Sequence, residues 1–192
     1  MKTPTHMLIG IVVGRFLPGN GRYKSLWVAF GAAAPDIPLI LVALYCWGVM
    51  TLFPCVSENC QDFVSFVDYF YFENWIFIAS HHLLHSPTSL LLLSVILFSQ
   101  WRKNRILVYR EWWFLTGAAS HAVIDLFTHA EDGLLVFWPL NWHFRFNSGV
   151  SQWDMQGAGQ VILLVEVSFC ILFSAHFLRP TLTRYVLSRW KA

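Results

Sequence analysis

The sequence predicts an all-α fold: a polytopic helical membrane bundle of about four transmembrane helices, with a short N-terminal helix packed against it or re-entrant. Composition is the first observation behind this. Of 192 residues, 56% are hydrophobic and only 12% charged, where a soluble domain carries about a quarter charged residues, and mean hydropathy is +0.51. Length is the second. Four apolar stretches, roughly Leu26 to Phe53, Trp75 to Phe98, Trp112 to Thr128 and Gln160 to Leu178, fall near the roughly 20 residues that cross a bilayer core. Charge distribution is the third. Lys2, Arg15, Arg22 and Lys24 form one basic group, Arg102, Lys103, Arg105 and Arg110 a second, and Arg179, Arg184, Arg189 and Lys191 a third; only Arg145 lies elsewhere. The segment from Pro54 to Glu73 carries Glu58, Asp62, Asp68 and Glu73 and no Lys or Arg. Basic loops stay cytoplasmic, so both termini are expected inside and the acidic loop outside.

The chain length fits one domain, residues 1–192. Met7 to Leu17 is too short to span and contains Arg15, and no small-residue cleavage site follows it, so it reads as the packed or re-entrant helix and not as a cleavable signal. The first span contains Ala34-Pro35-Asp36-Ile37-Pro38, whose prolines should break the helix where the backbone lines a protein or water cavity. In the acidic loop, Cys55 and Cys60 are able to pair in an oxidising compartment, though nothing forces it. No second pair accompanies them as a zinc site requires. Cys46 and Cys170 fall in apolar spans and read as small hydrophobes. The Trp75 to Phe98 stretch holds His81, His82 and His85, followed by Ser86-Pro87; the last span holds Glu166 and His176. A net charge of +2 is too mild for nucleic-acid binding, and the expected partners are membrane lipids.

Ionisable groups within spans cost about 2.5–3.5 kcal/mol each on insertion scales, so this many need a common purpose, and partnership around an ion supplies one. The clearest set is His121, Asp125 and His129. At positions four and eight apart they advance by about 40° and 80° around a helix and share a face, and imidazole with carboxylate on one face is a metal-ligand set. A hydrogen-bonded polar stripe is the plainer alternative. Along a continuous helix His121 and His129 stand about 12 Å apart, too far for one ion. Either the helix ends before His129, or Asp125 bridges two ions, the arrangement the residues favour. His85, just before Ser86-Pro87, and Asp36, between two prolines, are the next candidates. For Asp36 the plainer alternative is a helix cap; for His81 and His82 it is a role orienting a ligand.

Thr5-His6, Ala34-Pro35-Asp36-Ile37, His85-Ser86, Gly117 to Asp125, Thr128-His129, Asp132, Phe137-Trp138-Pro139 and Ser151 to Asp154 together resemble the YdjM-like family of predicted membrane-bound metal-dependent hydrolases. Their order is more distantly similar to zinc-dependent phospholipase C. The resemblance implies a bacterial inner-membrane protein with His6, Asp36, His85, His121 and Asp125 as ligands to one or two zinc ions, manganese and iron being alternatives. The family's upstream histidine, five positions before His85, is replaced by Ser80, with His81 following. The phospholipase's late His and Glu pair is also missing, since His143 has no Glu four residues on. The function expected is hydrolysis of an ester or phosphoester of a lipid or lipid-linked substrate, with Asp36 or His129 taking the proton. An intramembrane metal or proton transporter, or a non-catalytic protein with a decayed site, are the alternatives.

Overall fold

A computed structural model describes residues 2–18, 23–52, 62–104, 108–154 and 157–189, with side chains through Ala175. Cys55 and Cys60, and the side chain of His176, lie outside the described set. Among the described residues the regular structure is entirely helical. Helix α1 (Thr3–Phe16) has Pro4 in its first turn, where the missing N–H has no intrahelical partner to lose. It runs antiparallel to α2 (Lys24–Ala33), with Gly10 against Ala29 and Ala32 and Gly14 against Ser25. Such small-residue contacts let backbones approach closely inside a membrane bundle.

The two prolines do not sever the first span. Ala34–Asp36 forms one tight 3-10 turn, and α3 (Ile37–Leu52) follows it directly. The result is a 29-residue apolar rod from Lys24 to Leu52. Pro35 sits in the first turn of the 3-10 segment, where its fixed φ suits the geometry and its absent N–H is tolerated.

Helix α4 (Phe63–Phe72) starts at Asp62, which accepts the Ser65 N–H at 2.7 Å. Helix α5 (Trp75–His85) is capped by Asn74, which accepts from Ile76 and Phe77. Helix α6 (Pro87–Lys103) meets α5 at a 62° bend around Ser86. The Ser86 hydroxyl bonds to the carbonyls of Val136 and Trp138, each at 2.9 Å, tying the bend to the long 127–157 connection. Helix α7 (Tyr109–Leu126) returns through the interior, and α8 (Ala158–Arg189) closes the chain.

Among the described residues two helices are long and apolar enough to cross a membrane, 24–52 and the first part of α8, and a third if bent α5 and α6 count as one span. Four full spans are therefore not what the helices support. Helix α7 carries Arg110, Glu111, Ser120, His121 and Asp125 and packs against α1, α2, α5 and α6, so its surroundings are protein, and an apolar surface all round is not required of it.

Helices α2 and α7 run parallel. Lys24 lies 5.5 Å from the Trp113 ring and Arg110 lies 5.7 Å from the Trp27 ring at their starts, while Ala32 meets His121 near their ends. Helix α8 runs alongside α1: Glu166 accepts the Lys2 backbone N–H at 2.7 Å, and Cys170 Sγ is 3.9 Å from Thr5 Oγ1. One end of the bundle thus gathers Arg15, Lys24 and Arg110, with Lys24 also donating to the Leu17 carbonyl. The other end gathers Asp36, Asp125 and Glu166. Lys2, grouped by sequence with Arg15 and Lys24, is separated from them by the length of α1, about 20 Å. Polar groups are buried and large apolar ones point outward: Leu41, Leu44, Trp47, Leu164 and Leu172 are all more than half exposed, the pattern of a lipid-facing surface.

Candidate metal centre

Two helix ends and one turn converge on a buried cluster. Asp36 comes from the 3-10 turn, His85 from the last residue of α5, and His121 and Asp125 from the last turns of α7; one ligand atom from each lies within 4.8 Å of the others. The Asp125 carboxylate is its centre. Its Oδ2 is 2.9 Å from His121 Nε2 and 3.6 Å from His85 Nε2. Asp36 Oδ2 accepts from Thr3 Oγ1 at 2.5 Å, and Oδ1 is left facing His121 at 3.5 Å and His85 at 3.8 Å.

The tautomers follow from the backbone. His121 Nδ1 is 2.7 Å from the Ala32 carbonyl and His85 Nδ1 is 3.2 Å from the His81 carbonyl. A carbonyl only accepts, so both Nδ1 atoms carry the proton, and in the neutral ring Nε2 is bare. Those two bare nitrogens face each other at 2.9 Å. Two lone pairs at that distance repel, so a proton or a metal ion belongs between or beside them, next to the Asp125 carboxylate. A backbone carbonyl holding Nδ1–H so that Nε2 is presented is also the usual support of a metal-binding histidine.

His6 adds an orphan. It is 1% exposed and stacks on His121 with ring centroids 3.7 Å apart. Its Nε2 stands 3.0 Å from Asp125 Oδ1, yet neither ring nitrogen has the alignment of a hydrogen bond. Polar atoms buried in this way are normally satisfied, and a cation beside Asp125 would satisfy Nε2. The residues therefore fit a divalent ion, and both carboxylate oxygens of Asp125 face imidazoles.

His129 resolves the spacing question. Helix α7 ends at Leu126, the Thr128 N–H bonds back to the Asp125 carbonyl, and His129 folds in so that its Nε2 lies 3.6 Å from Asp125 Oδ2. Its Nδ1 donates to Asp132 Oδ2 at 2.6 Å; the same oxygen accepts from Trp153 Nε1 at 2.9 Å, and Gln152 Nε2 lies 3.0 Å from His129 Nε2. Burial alone would lower the His129 pKa, but its bonds to Asp125 and Asp132, reinforced by their charge, raise it to about 9. Burial likewise opposes ionisation of Asp132, and the His129 bond outweighs it and holds that carboxyl below its ordinary value.

All six expected residues, His6, Asp36, His85, His121, Asp125 and His129, are thus brought together. His81 supplies the carbonyl that orients His85 and has its own ring 4.0 Å from it. His82 is buried edge-on to His81. Glu166 takes the Lys2 N–H, and His143 is exposed. Sequence reasoning missed Thr3 as a partner of Asp36, and no local pattern marks it. Gln152 and Trp153 were legible only within the 151–154 motif.

A helical bundle with a buried His and Asp cluster at one end defines a class, polytopic membrane proteins with a candidate intramembrane metal centre. The chain belongs to the YdjM inner membrane protein family, whose profile matches residues 1–182. It is an integral inner-membrane protein. No curated protein and no solved structure matches it, and the more distant likeness to zinc-dependent phospholipase C rests on the motifs alone.

Proposed function

We propose that this protein is a metal-dependent hydrolase acting on an ester or phosphoester of a membrane lipid. The observation that carries the reading is the buried cluster in which His85 Nε2 and His121 Nε2 face each other 2.9 Å apart beside two carboxylates. A mixed nitrogen and oxygen donor set suits zinc, with manganese and iron as competitors. Asp36, His85, His121 and Asp125 hold the ion, and His6 with Asp125 Oδ1 offers donors for a second. The chemistry supplied when an ion is bound is Lewis acidity, which brings the pKa of a water from 15.7 toward about 7 and polarises the scissile group. His129 is the proton carrier, oriented by Asp132 as the acid–base partner of the reaction. Asp36, with Oδ2 occupied by Thr3, acts as a ligand.

In this reading the basic end of the bundle and the C-terminal basic tail face the cytoplasm, in keeping with the positive-inside rule. The cluster then opens toward the outer side. The N terminus departs from the cytoplasmic placement expected from charge, because Lys2 and Thr3 are bonded at the cluster end.

The test is turnover of bis(p-nitrophenyl) phosphate and of mixed phospholipid micelles by zinc-loaded protein. His85→Ala, His121→Ala and Asp125→Ala are each expected to lower the rate by orders of magnitude, because a lost ligand takes the ion and the activated water with it. Undiminished turnover in the variants, or none by loaded wild type, overturns the proposal.

A further inference from the structure

Arg145 is the one Lys or Arg outside the three basic groups, and neither the metal centre nor the membrane orientation depends on it. It stands in the connection after α7, where its guanidinium bridges two backbone carbonyls. Nη1 donates to the Gly133 oxygen and Nη2 to the Tyr71 oxygen, each at 3.1 Å. The group also lies over the rings of Tyr71 and Phe72, 4.9 Å from each centroid.

Each contact has a physical reason. Tyr71 is the second-last residue of α4, so its carbonyl is among the last four that a helix leaves without an internal partner. A cation there also meets the negative end of the helix dipole. One rigid guanidinium plane reaches both carbonyls and stacks on the rings, which a Lys ammonium cannot do.

The second carbonyl belongs to the residue after Asp132, and the Asp132 carbonyl itself accepts from the Tyr71 hydroxyl at 2.8 Å. Two consecutive carbonyls, of Asp132 and Gly133, are thus fastened to α4, one by Tyr71 and the other by Arg145. Gly133 is buried against Phe146, whose carbonyl oxygen a Cβ there would meet at 1.7 Å, and the Phe146 N–H bonds to the Leu134 carbonyl at 2.9 Å. The backbone therefore holds Arg145 beside the carbonyl it binds.

This fastening fixes the Asp132 side chain, whose Oδ2 takes the His129 Nδ1–H at 2.6 Å. Both residues lie beyond the end of α7, in irregular chain whose order depends on ties of this kind. Trp153 also donates to Asp132 Oδ2, but Trp153 is 62% exposed and water competes for that bond. The tie to α4 is the inner one.

We infer that Arg145 and Tyr71 are positioning residues: together they hold Asp132, and through it the His129 ring, against the metal centre. Its consequence for a reaction rests on the hydrolase reading; the positioning itself does not.

The experiment compares zinc-loaded wild type, Tyr71→Phe and Arg145→Met. Tyr71→Phe removes one hydroxyl and leaves the ring under Arg145. The first readout is the NMR spectrum of protein isotopically labelled at the histidine nitrogens. In wild type the Nδ1 proton of His129 should resonate far downfield, as a short charge-assisted bond requires. In both variants it should move upfield or vanish through exchange with water. The Nδ1 proton of His121, bound to the Ala32 carbonyl, should stay in place, and zinc content should be unchanged. The second readout is hydrolysis of mixed phospholipid micelles. Tyr71→Phe should lower kcat about tenfold with KM within about twofold, a fraction of what a positioned acid or base supplies. In an Asp132→Asn background it should lower kcat no further, because residues that act through one another are not additive. A His129 signal unmoved in both variants, a His121 signal that moves with it, or the full additional fall in the Asp132→Asn background overturns the inference. No turnover by wild type, with the His129 signal displaced as expected, refutes the hydrolase reading alone; turnover by wild type with His129 unmoved in both variants refutes this inference alone.

Discussion

Substituting Gly117 with alanine should disable the metal centre from a position that touches none of its ligands. A Cβ at Gly117 would stand 2.0 Å from the Val28 carbonyl oxygen and 2.7 Å from the Ala32 nitrogen. Both are backbone atoms of α2, so no side chain can rotate away. Helix α7 must retreat from α2 by about 1 Å or more to restore contact distance. That retreat stretches the bond between His121 Nδ1 and the Ala32 carbonyl, now 2.7 Å, beyond hydrogen-bonding range. His121 loses the partner that fixes its tautomer, and Asp125, one turn on, moves with it. Overpacking of this kind costs about 1–3 kcal/mol, and loss of an orienting partner lowers metal affinity about 10–100-fold. Gly48→Ala is the control, because a Cβ there meets nothing within 4 Å and alanine favours a helix by about 0.5–1 kcal/mol. Thermal unfolding and zinc titration of the two purified variants make the comparison. The reasoning is refuted if Gly117→Ala melts and binds zinc as Gly48→Ala does.

Glu166→Leu removes the acceptor of the Lys2 N–H and should cost about 1–3 kcal/mol through the unsatisfied donor and the freed first turn of α1; it should lower the melting temperature and weaken zinc binding through His6 and Thr3, whereas unchanged values would show that α1 is held otherwise. For topology, a Cys replacing Asp154 should react with an impermeant thiol reagent in intact spheroplasts, and one replacing Lys103 should react only after permeabilisation, each in a background without the native cysteines; the opposite result reverses the orientation.

Much of the centre was legible because its residues violate the bilayer's preference for apolar side chains. His121 and Asp125 stood out by helical spacing on an apolar helix, His85 by its place before Ser86-Pro87, and Asp36 by the prolines around it. His129 was legible as a residue but not as a position, since spacing on a straight helix could not show that α7 stops at Leu126 and the chain turns back. The span count failed for a related reason: apolar length does not report the 62° bend at Ser86 or the enclosure of α7 by its neighbours. Grouping Lys2 with Arg15 treated sequence neighbours as spatial ones, although a helix lies between them. Thr3 left no local signal, and Glu166 stood out in its span without its partner being legible, because their partners, Asp36 and the Lys2 N–H, are 33 and 164 residues away.

The most direct test of the metal centre is elemental analysis of protein purified with zinc and then dialysed against a weak chelator. Wild type, and His143→Ala with its change at an exposed residue, should retain about one or two zinc ions per chain, while His121→Ala and Asp125→Asn should retain almost none. Zinc content that is equal in wild type and Asp125→Asn, or absent from both, would contradict the account.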